Sequence, residues 1–158
     1  MAELRIGFGH DLHRLKDGGR LVLGGLVAAE GLSAVAHSDG DVVLHALVDA
    51  LLGAIGGGDI GTLFPDTDDR YRGADSMQFL DEALRRVREA GWAVANADVL
   101  VSAERPKLGP LKADMARRLS ERLGGPCNVK AGTNEGCDAV GRGEAIAATA
   151  VVLLVRRP

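Results

Sequence analysis

One segment in the first half of the chain constrains the fold more than any other. From Asp39 or Gly40 onward, apolar residues recur with the period of 3.6 that is typical of an α-helix with one buried face. The candidates for that face are Val42, Leu44, Leu47, Val48, Leu51 and Leu52. Gly53 and the glycine run 56–58 are predicted to end the helix, because glycine readily adopts the left-handed conformation of helix C-termini.

Strand patterns and helix patterns alternate along most of the chain. Further helices are predicted from Asp75 or Ser76 to about residue 90 and over 110–124, with an ordered loop over 59–68. The predicted strands are 4–7, 20–26, 96–102, 128–131 and 145–155, the last Ala-rich enough that a helix is the alternative. This order predicts an α/β fold: one domain, 1–158, with one mixed β-sheet and three main helices.

Bulk properties exclude several classes of function. A formal net charge of −3 argues against a nucleic-acid partner, since binding by counterion release needs clustered positive charge. No apolar run is long enough for a membrane span, and no signal peptide is apparent. The two cysteines, Cys127 and Cys137, are too few for a disulfide framework. We therefore expect reduced thiols and a cytoplasmic location.

All four histidines fall within the first 45 residues, and three of them lie among carboxylates. Asp11 and His13 are two apart on a predicted extended segment, so both side chains point to one side and could reach one ion. A third ligand from elsewhere would leave a tetrahedral position open to substrate or water. A surface Asp beside a partly exposed His is the alternative.

The predicted helix supplies a second group. Asp41, His45 and Asp49 are spaced i, i+4 and i+8, so they share one helix face. We predict that Asp41 or Asp49 orients the ring nitrogen of His45 that does not bind the ion. The alternative is an exposed acidic face that contains one His.

Two other histidines have different predicted roles. His37, with Ser38 beside it, stands just before the helix, where backbone N–H groups favour anions such as phosphate. A plain N-cap is the competing interpretation of Ser38 and Asp39. His10 is expected to be structural or to support a ligand rather than to bind the ion.

The C-terminal half offers a hydroxyl at Thr133, a hard oxygen ligand suited to Mg²⁺ at Glu135, and a cationic fork for phosphate at Arg142. Polar residues flanked by glycine are more often simple turns, and that alternative stays open here. Lys107 after Pro106 is equally ambiguous and is most simply a solvated side chain.

Taken together, several motifs resemble the 2-C-methyl-D-erythritol 2,4-cyclodiphosphate synthase family, in order and over nearly the whole chain. The most specific pair is His37-Ser38-Asp39-Gly40-Asp41 and Phe64-Pro65-Asp66-Thr67-Asp68. The others include Asp11-x-His13-Arg14, Gly58-Asp59-Ile60-Gly61, Pro106-Lys107 and Gly141-Arg142-Gly143-Glu144.

The resemblance implies a metal-dependent enzyme of the non-mevalonate isoprenoid pathway. Such an enzyme converts 4-diphosphocytidyl-2-C-methyl-D-erythritol 2-phosphate into the cyclic diphosphate and releases CMP. It also implies a homotrimer in which the sheets face the three-fold axis and the active sites lie between adjacent subunits. Because the substrate's own phosphate attacks, no protein nucleophile is required, and the protein must hold two anionic groups together.

The resemblance also implies roles for particular residues. Asp11, His13 and His45 would bind Zn²⁺ or another divalent ion, and Glu135 would bind Mg²⁺ or Mn²⁺ at the diphosphate. His37 and Thr133 would stabilise the transition state. The implied substrate-binding residues on the methylerythritol side are His37, Ser38, Asp59, Ile60, Gly61, Phe64, Pro65, Asp66, Thr67 and Asp68. Those implied on the cytidine side, contributed by the neighbouring subunit, are Ala103, Pro106, Lys107, Gly132, Thr133, Asn134 and Glu135. Arg142 would contact phosphate.

Three features depart from the family pattern. Ala139 stands where a bulky aromatic residue is usual, Gly132 and Asn134 flank Thr133 where a threonine run is usual, and the stretch 136–140 is otherwise dissimilar. Two other functions are considered. A metal-dependent phosphohydrolase would release inorganic phosphate, and a trimeric protein that only binds a nucleotide or metal would show no turnover.

Overall fold

The computed structural model describes residues 3–157, which form one α/β domain around a five-stranded sheet. The strands are Leu4–Leu23 (β1), Leu26–Ala34 (β2), Trp92–Ser102 (β3), Cys127–Gly132 (β4) and Ala145–Arg156 (β5). The helices are Val42–Ile55 (α1), Ile60–Leu63 (α2), Met77–Glu89 (α3), Lys112–Leu123 (α4) and Asp138–Gly141 (α5). The three predicted main helices are α1, α3 and α4, and α2 and α5 are single turns.

The sheet has the order β2-β1-β5-β3-β4. β3 and β4 run parallel and are connected through α4, whereas β1 pairs antiparallel with both β2 and β5, and β5 pairs antiparallel with β3. The predicted mixed sheet is therefore confirmed. The C-terminal segment is a strand, which excludes the helical alternative for its Ala-rich sequence.

The N-terminal part of the sheet differs from the prediction. The expected strand 4–7 and residues 20–23 of the expected strand 20–26 are parts of β1, whereas residues 24–25 form the turn to β2. The first half of β1 pairs with β5 and its second half pairs with β2. β1 continues past Gly7 without a turn. Gly18 and Gly19, both with positive φ, lie where the register between β1 and β2 shifts, so they bend a strand that continues. β2 was not predicted, because Glu30 and Gly31 interrupt its alternation of apolar residues.

α1 packs directly on the sheet. Its apolar side chains are buried as predicted, and Leu44, Leu47, Leu51 and Leu52 are completely inaccessible to solvent. Gly7 and Gly9 of β1 make this contact possible. A Cβ atom at Gly7 would lie 1.8 Å from the carbonyl oxygen of Ala50, and one at Gly9 would lie 1.9 Å from that of Ala46. The helix backbone therefore touches the strand backbone.

The other face of the sheet carries exposed apolar side chains. Ile6 and Phe8 are 72% and 65% exposed, and Leu4, Leu12 and Leu100 are exposed as well. Exposed apolar groups of this size that cluster on one surface mark a contact with another molecule. Within residues 3–157, no helix combines the length and apolar character needed to cross a bilayer.

Candidate active site

Three side chains converge where β1 meets α1. Oδ2 of Asp11 lies 3.0 Å from Nε2 of His13 and 2.9 Å from Nδ1 of His45, and the two ring nitrogens lie 3.3 Å apart. Ligands about 2.0–2.1 Å from a tetrahedral zinc ion are about 3.3 Å from one another. The predicted ligands therefore fit one small divalent ion with no larger rearrangement, and two nitrogens with one carboxylate are a donor set that suits Zn²⁺.

The backbone explains how the three ligands meet. Asp11 and His13 are two apart on β1, so their side chains lie on the same side of the sheet, as predicted. His45 is in the first turns of α1, whose backbone the two glycines of β1 admit to direct contact. His10 lies outside this group, and its Nδ1 is 3.1 Å from Oγ1 of Thr149. In the part of the chain that the structure describes, no second group of three potential ligands is this close together.

The charges of the three ligands are coupled. Burial alone would raise the pKa of Asp11, but hydrogen bonds with His13 and His45 hold it well below its usual range. Burial opposes the charged form of His45, but the hydrogen bond that its ring donates to Asp11 and the charges of Asp11, Asp41 and Asp39 raise its pKa. Asp11 is therefore held as a carboxylate, the form that binds a cation.

Asp41 has a structural role, which corrects the prediction that it orients His45. Its buried carboxylate accepts hydrogen bonds from the backbone N–H groups of Val43 and Leu44 and so caps α1. It also accepts from those of Gly24 and Gly25 in the turn between β1 and β2. Burial raises the pKa of Asp41 to about 6 against the effect of these donors. Asp41 thus attaches the start of α1 to the sheet.

Asp49 does not orient His45 either, because its Oδ1 accepts a hydrogen bond of 2.8 Å from the backbone N–H of Ile60. The second ring nitrogen of His45, Nε2, lies instead 2.8 Å from Oγ of Ser76 and 3.2 Å from Oγ of Ser38. Ser76 in turn donates its hydroxyl proton to Asp39.

Sequence reasoning treated Ser76 and Asp39 only as helix caps. Ser76 is the residue before α3, but its side chain makes no cap hydrogen bond. It is 31 residues from His45, and only the tertiary packing of α3 against α1 brings the two together. The motif that contains Asp39 was the one available signal.

A cleft of about 370 Å³ opens beside the three ligands. His37 and Ser38 line it, together with Ile60, Gly61, Phe64 and Asp66 from the predicted binding loop. Asp59, Pro65, Thr67 and Asp68, from the same loop, are not among its lining residues. The structure therefore brings about half of the predicted loop residues to the ligands.

Two of the remaining loop residues, Asp59 and Asp68, hold the loop in place. Asp59 caps α2 by accepting from the N–H and hydroxyl of Thr62. The carbonyl oxygen of Asp68 lies 3.0 Å from Nε2 of His37, which donates to it. Hydrogen bonds from Arg70 lower the pKa of the Asp68 carboxyl. His37 thus connects the segment before α1 to the loop that follows α2.

Three aromatic rings line the cleft and pack against one another. Phe64 stacks on Phe79 with 4.4 Å between ring centroids, and Tyr71 meets both rings edge-on. Aromatic pairs of this kind contribute about 0.5–1.5 kcal/mol beyond their buried area. The loop is therefore packed against α3 and does not depend on its polar contacts alone.

The other predicted site residues form a separate group. Ala103, Pro106, Lys107, Gly132 and Thr133 line a second pocket of about 340 Å³, which shares no lining residue with the cleft. Gly132 and Thr133 follow the end of β4, and Ala103 follows β3. Because β3 and β4 are parallel neighbours, their C-terminal ends open onto one edge of the sheet.

The remaining predicted residues lie in the turns after β4, outside that pocket. Asn134 donates to the carboxylate of Asp138, and Nε of Arg142 donates to Oε1 of Glu144 at 3.0 Å. Glu135 is exposed, has a φ of +52°, and is not part of the three-ligand group. The structure does not unite Glu135 and Arg142 with the cleft within one chain.

Comparison with known proteins gives a consistent result. The sequence profile of the YgbB family matches residues 4–155. A protein of Rhodopirellula baltica named 2-C-methyl-D-erythritol 2,4-cyclodiphosphate synthase is 52% identical over 160 residues, which cover 97% of this chain and 94% of that protein.

Solved structures agree. One described as 2C-methyl-D-erythritol-2,4-cyclodiphosphate synthase in a CDP-bound form has a TM-score of 0.87 and 46% identity, and the match covers 95% of this chain and 99% of that one. The bifunctional IspDF of Campylobacter jejuni has a TM-score of 0.94 and 40% identity, covering 99% of this chain but 43% of that longer protein.

Proposed function

Because the chain belongs to the YgbB family, we propose that it cyclises 4-diphosphocytidyl-2-C-methyl-D-erythritol 2-phosphate to 2-C-methyl-D-erythritol 2,4-cyclodiphosphate in the non-mevalonate isoprenoid pathway. An oxygen of the 2-phosphate forms a bond to the β-phosphorus of the diphosphate. The bond from that phosphorus to the oxygen of CMP breaks, and CMP leaves with the electron pair. Atoms and charge balance without water or a protein nucleophile.

The convergence of Asp11, His13 and His45 beside a cleft is the observation that carries this proposal. These residues would hold Zn²⁺ or a similar divalent ion, which supplies Lewis-acid stabilisation of phosphate oxygens when bound. The fit of the three ligand atoms to a tetrahedral ion supports the assignment.

The chain's own residues would hold the two reacting groups together. Ile60, Gly61, Phe64 and Asp66 give the cleft apolar and polar walls that suit the methylerythritol unit. His37 and Ser38 stand at its rim, where a ring nitrogen and a hydroxyl can contact phosphate oxygens. Positioning is the main requirement, because intramolecular attack in a fixed geometry removes most of the entropic barrier.

The second pocket would bind the cytidine end of the substrate. Lys107 supplies an exposed cation, and Thr133 supplies the hydroxyl that would stabilise the transition state. Glu135, in the turn that follows, would bind Mg²⁺ or Mn²⁺ at the diphosphate with its hard carboxylate oxygens. Arg142 remains a candidate for a phosphate contact.

A single chain does not combine the two pockets, so we propose that the site forms between subunits of a homotrimer. The exposed apolar face of β1, with Ile6 and Phe8, would pack against the three-fold axis. Homomeric assemblies with closed symmetry are the common way to cover such a face.

Product analysis tests the reaction. Purified protein incubated with the cytidyl substrate and a divalent ion should release one CMP per cyclic diphosphate formed and no inorganic phosphate. Phosphate release would favour a metal-dependent phosphohydrolase. Bound substrate that stays unchanged in a single turnover would favour a protein that only binds its ligand.

Subunit mixing tests the shared site. His45→Ala removes one half of the site and Thr133→Ala the other, so neither variant alone should be active. In co-expressed mixtures, random trimers should contain intact sites at about one quarter of all positions. Recovery to roughly that fraction of wild-type CMP release is expected. Activity no higher than that of the two parents would contradict a site shared between subunits.

A further inference from the structure

The ring nitrogen of His45 that faces away from the metal site is held by a buried hydrogen-bond chain. Nε2 lies 2.8 Å from Oγ of Ser76, a side chain with no solvent exposure. Oγ of Ser76 donates to Oδ1 of Asp39, and the backbone N–H of Ser76 donates to Oδ2 of Asp39 at 3.0 Å. Asp39 thus binds Ser76 through both carboxylate oxygens.

The donors and acceptors along this series of hydrogen bonds can be assigned from Asp39 onward. A carboxylate only accepts hydrogen bonds, so the hydroxyl proton of Ser76 points to Asp39. Oγ of Ser76 then offers only lone pairs to His45, and Nε2 of the neutral ring must carry the proton. With the proton on Nε2, Nδ1 can give its lone pair to a metal, which takes the place of the proton that Nδ1 shares with the Asp11 carboxylate in the metal-free protein.

We propose that Ser76 and Asp39 are positioning residues that fix His45 in its metal-binding tautomer and so set the affinity of the site for its ion. The proposal rests on the metal centre of the proposed function. Ser38 does not replace Ser76, because its Oγ is 3.2 Å from Nε2, also accepts from the N–H of Gly40, and lies at the cleft.

The first test measures the Zn²⁺ affinity of Ser76→Ala by competition with a chromophoric chelator. Loss of a partner that orients a metal-binding histidine weakens metal binding by about 10- to 100-fold, and we expect an effect of that size. Ser76→Thr, which restores the hydroxyl, should recover most of it.

Ser120→Ala is the matched control. Oγ of Ser120, a partly buried side chain, donates to the carbonyl of Ala116 at 2.7 Å and accepts from the N–H of Cys127 at 2.8 Å. This substitution therefore also removes two hydrogen bonds. These contacts lie on α4 and β4, away from His45. Wild-type Zn²⁺ affinity is expected.

Asp39→Asn provides a second variant of nearly equal shape. An amide donor in place of Oδ1 would let Ser76 donate to Nε2 and favour the wrong tautomer. We expect weaker Zn²⁺ binding, together with a changed ¹⁵N signature of the metal-free His45 ring at alkaline pH, where imidazole is neutral. If Ser76→Ala does not fold, this variant decides the question.

Two outcomes would overturn the proposal, and they differ. Wild-type Zn²⁺ affinity in Asp39→Asn and in any folded Ser76→Ala protein would reject the positioning role and leave the proposed function standing. Equal Zn²⁺ affinity in the wild type and in His45→Ala would reject the metal centre itself, and with it both proposals.

Discussion

The cleft at the metal ligands and the pocket at the ends of β3 and β4 are built in different ways. In the first, the side chains of Asp11, His13 and His45 are mostly buried and hydrogen-bonded to one another. In the second, Lys107 is 80% exposed and its nearest anionic partner is 4.0 Å away. The side chains of the cleft are held by contacts within their own chain, whereas those of the second pocket are exposed to solvent.

This difference indicates which half of the proposed site is organised within one chain and which half is left open to a second subunit. A metal site that is organised before the ion arrives binds it more tightly, since ligands placed in advance lose little entropy on binding. A nucleotide pocket can be finished by another subunit. The contrast between the two regions therefore follows the division of labour proposed for adjacent subunits.

Removal of one of the three candidate metal ligands should have the largest effect on activity. In His45→Ala, we expect CMP release to fall by roughly 10³-fold or more, at least the cost of losing one donor at a transition state. The bound metal should be lost, while the trimer remains. Metal analysis and sedimentation measure both effects.

His10→Ala is the matched control for metal content, because His10 lies on the same strand but contacts Thr149 instead of the ligands. It should keep one ion per chain. Full metal occupancy in His45→Ala would refute the ligand assignment.

A charge on the apolar sheet face should separate the cleft of one subunit from the second pocket of its neighbour. In Phe8→Asp, a carboxylate would have to be buried without a partner on assembly, which costs several kcal/mol. We expect dissociation and a roughly 10²-fold loss of activity, with metal binding by each chain retained.

Val27→Asp tests whether position matters, because Val27 is also an exposed apolar residue but lies on β2, away from the β1 and β5 pairing. It should remain a trimer. A fully active Phe8→Asp monomer would show that one chain carries the whole site.

Metal removal should produce a smaller effect, a loss of thermal stability. An ion at about 1,000 times its Kd stabilises the folded state by about 4 kcal/mol, roughly 10 °C in Tm for a chain of this length. Chelator should therefore lower Tm in the wild type and leave His45→Ala unchanged.

The pH dependence of that effect has a definite sign. The raised pKa of His45 stabilises the metal-free protein below the ordinary histidine pKa, and this stability is lost as pH rises through the raised value. The lowered pKa of Asp11 acts only at strongly acidic pH. Metal must displace protons, so the metal-bound protein should gain stability over the same range. Parallel Tm curves from pH 6 to 9 would contradict this account.

The sequence predicted the parts of the site that depend on local geometry. Side chains two apart on a strand share a side whatever the tertiary structure, so the closeness of Asp11 and His13 was predicted. The helix that carries His45 follows from its apolar period. The predicted role of Asp41 was wrong. The i, i+4 spacing shows that Asp41 and His45 can be neighbours, but it does not show that the Asp41 carboxylate already caps α1.

Contacts between distant segments could not be predicted. The pairing of Ser76 with His45, and of Asp39 with Ser76, depends on how α3 packs against α1. The strand β2 was missed for a related reason, since its residues form a strand by pairing with β1, whereas Glu30 and Gly31 interrupt the apolar alternation in the sequence itself. In both cases the structure of a segment depends on the distant segment that it contacts, which its own residue types do not identify.

Gly7 and Gly9 carry no functional group, yet they set the spacing on which the ligands depend. In a library that randomises both positions and selects for pathway function, nearly every other residue should disappear, alanine included. The same library would keep wide variation at exposed positions of β2. A mutational scan would thus score two featureless residues as strictly as the metal ligands, because they determine how close the helix can come.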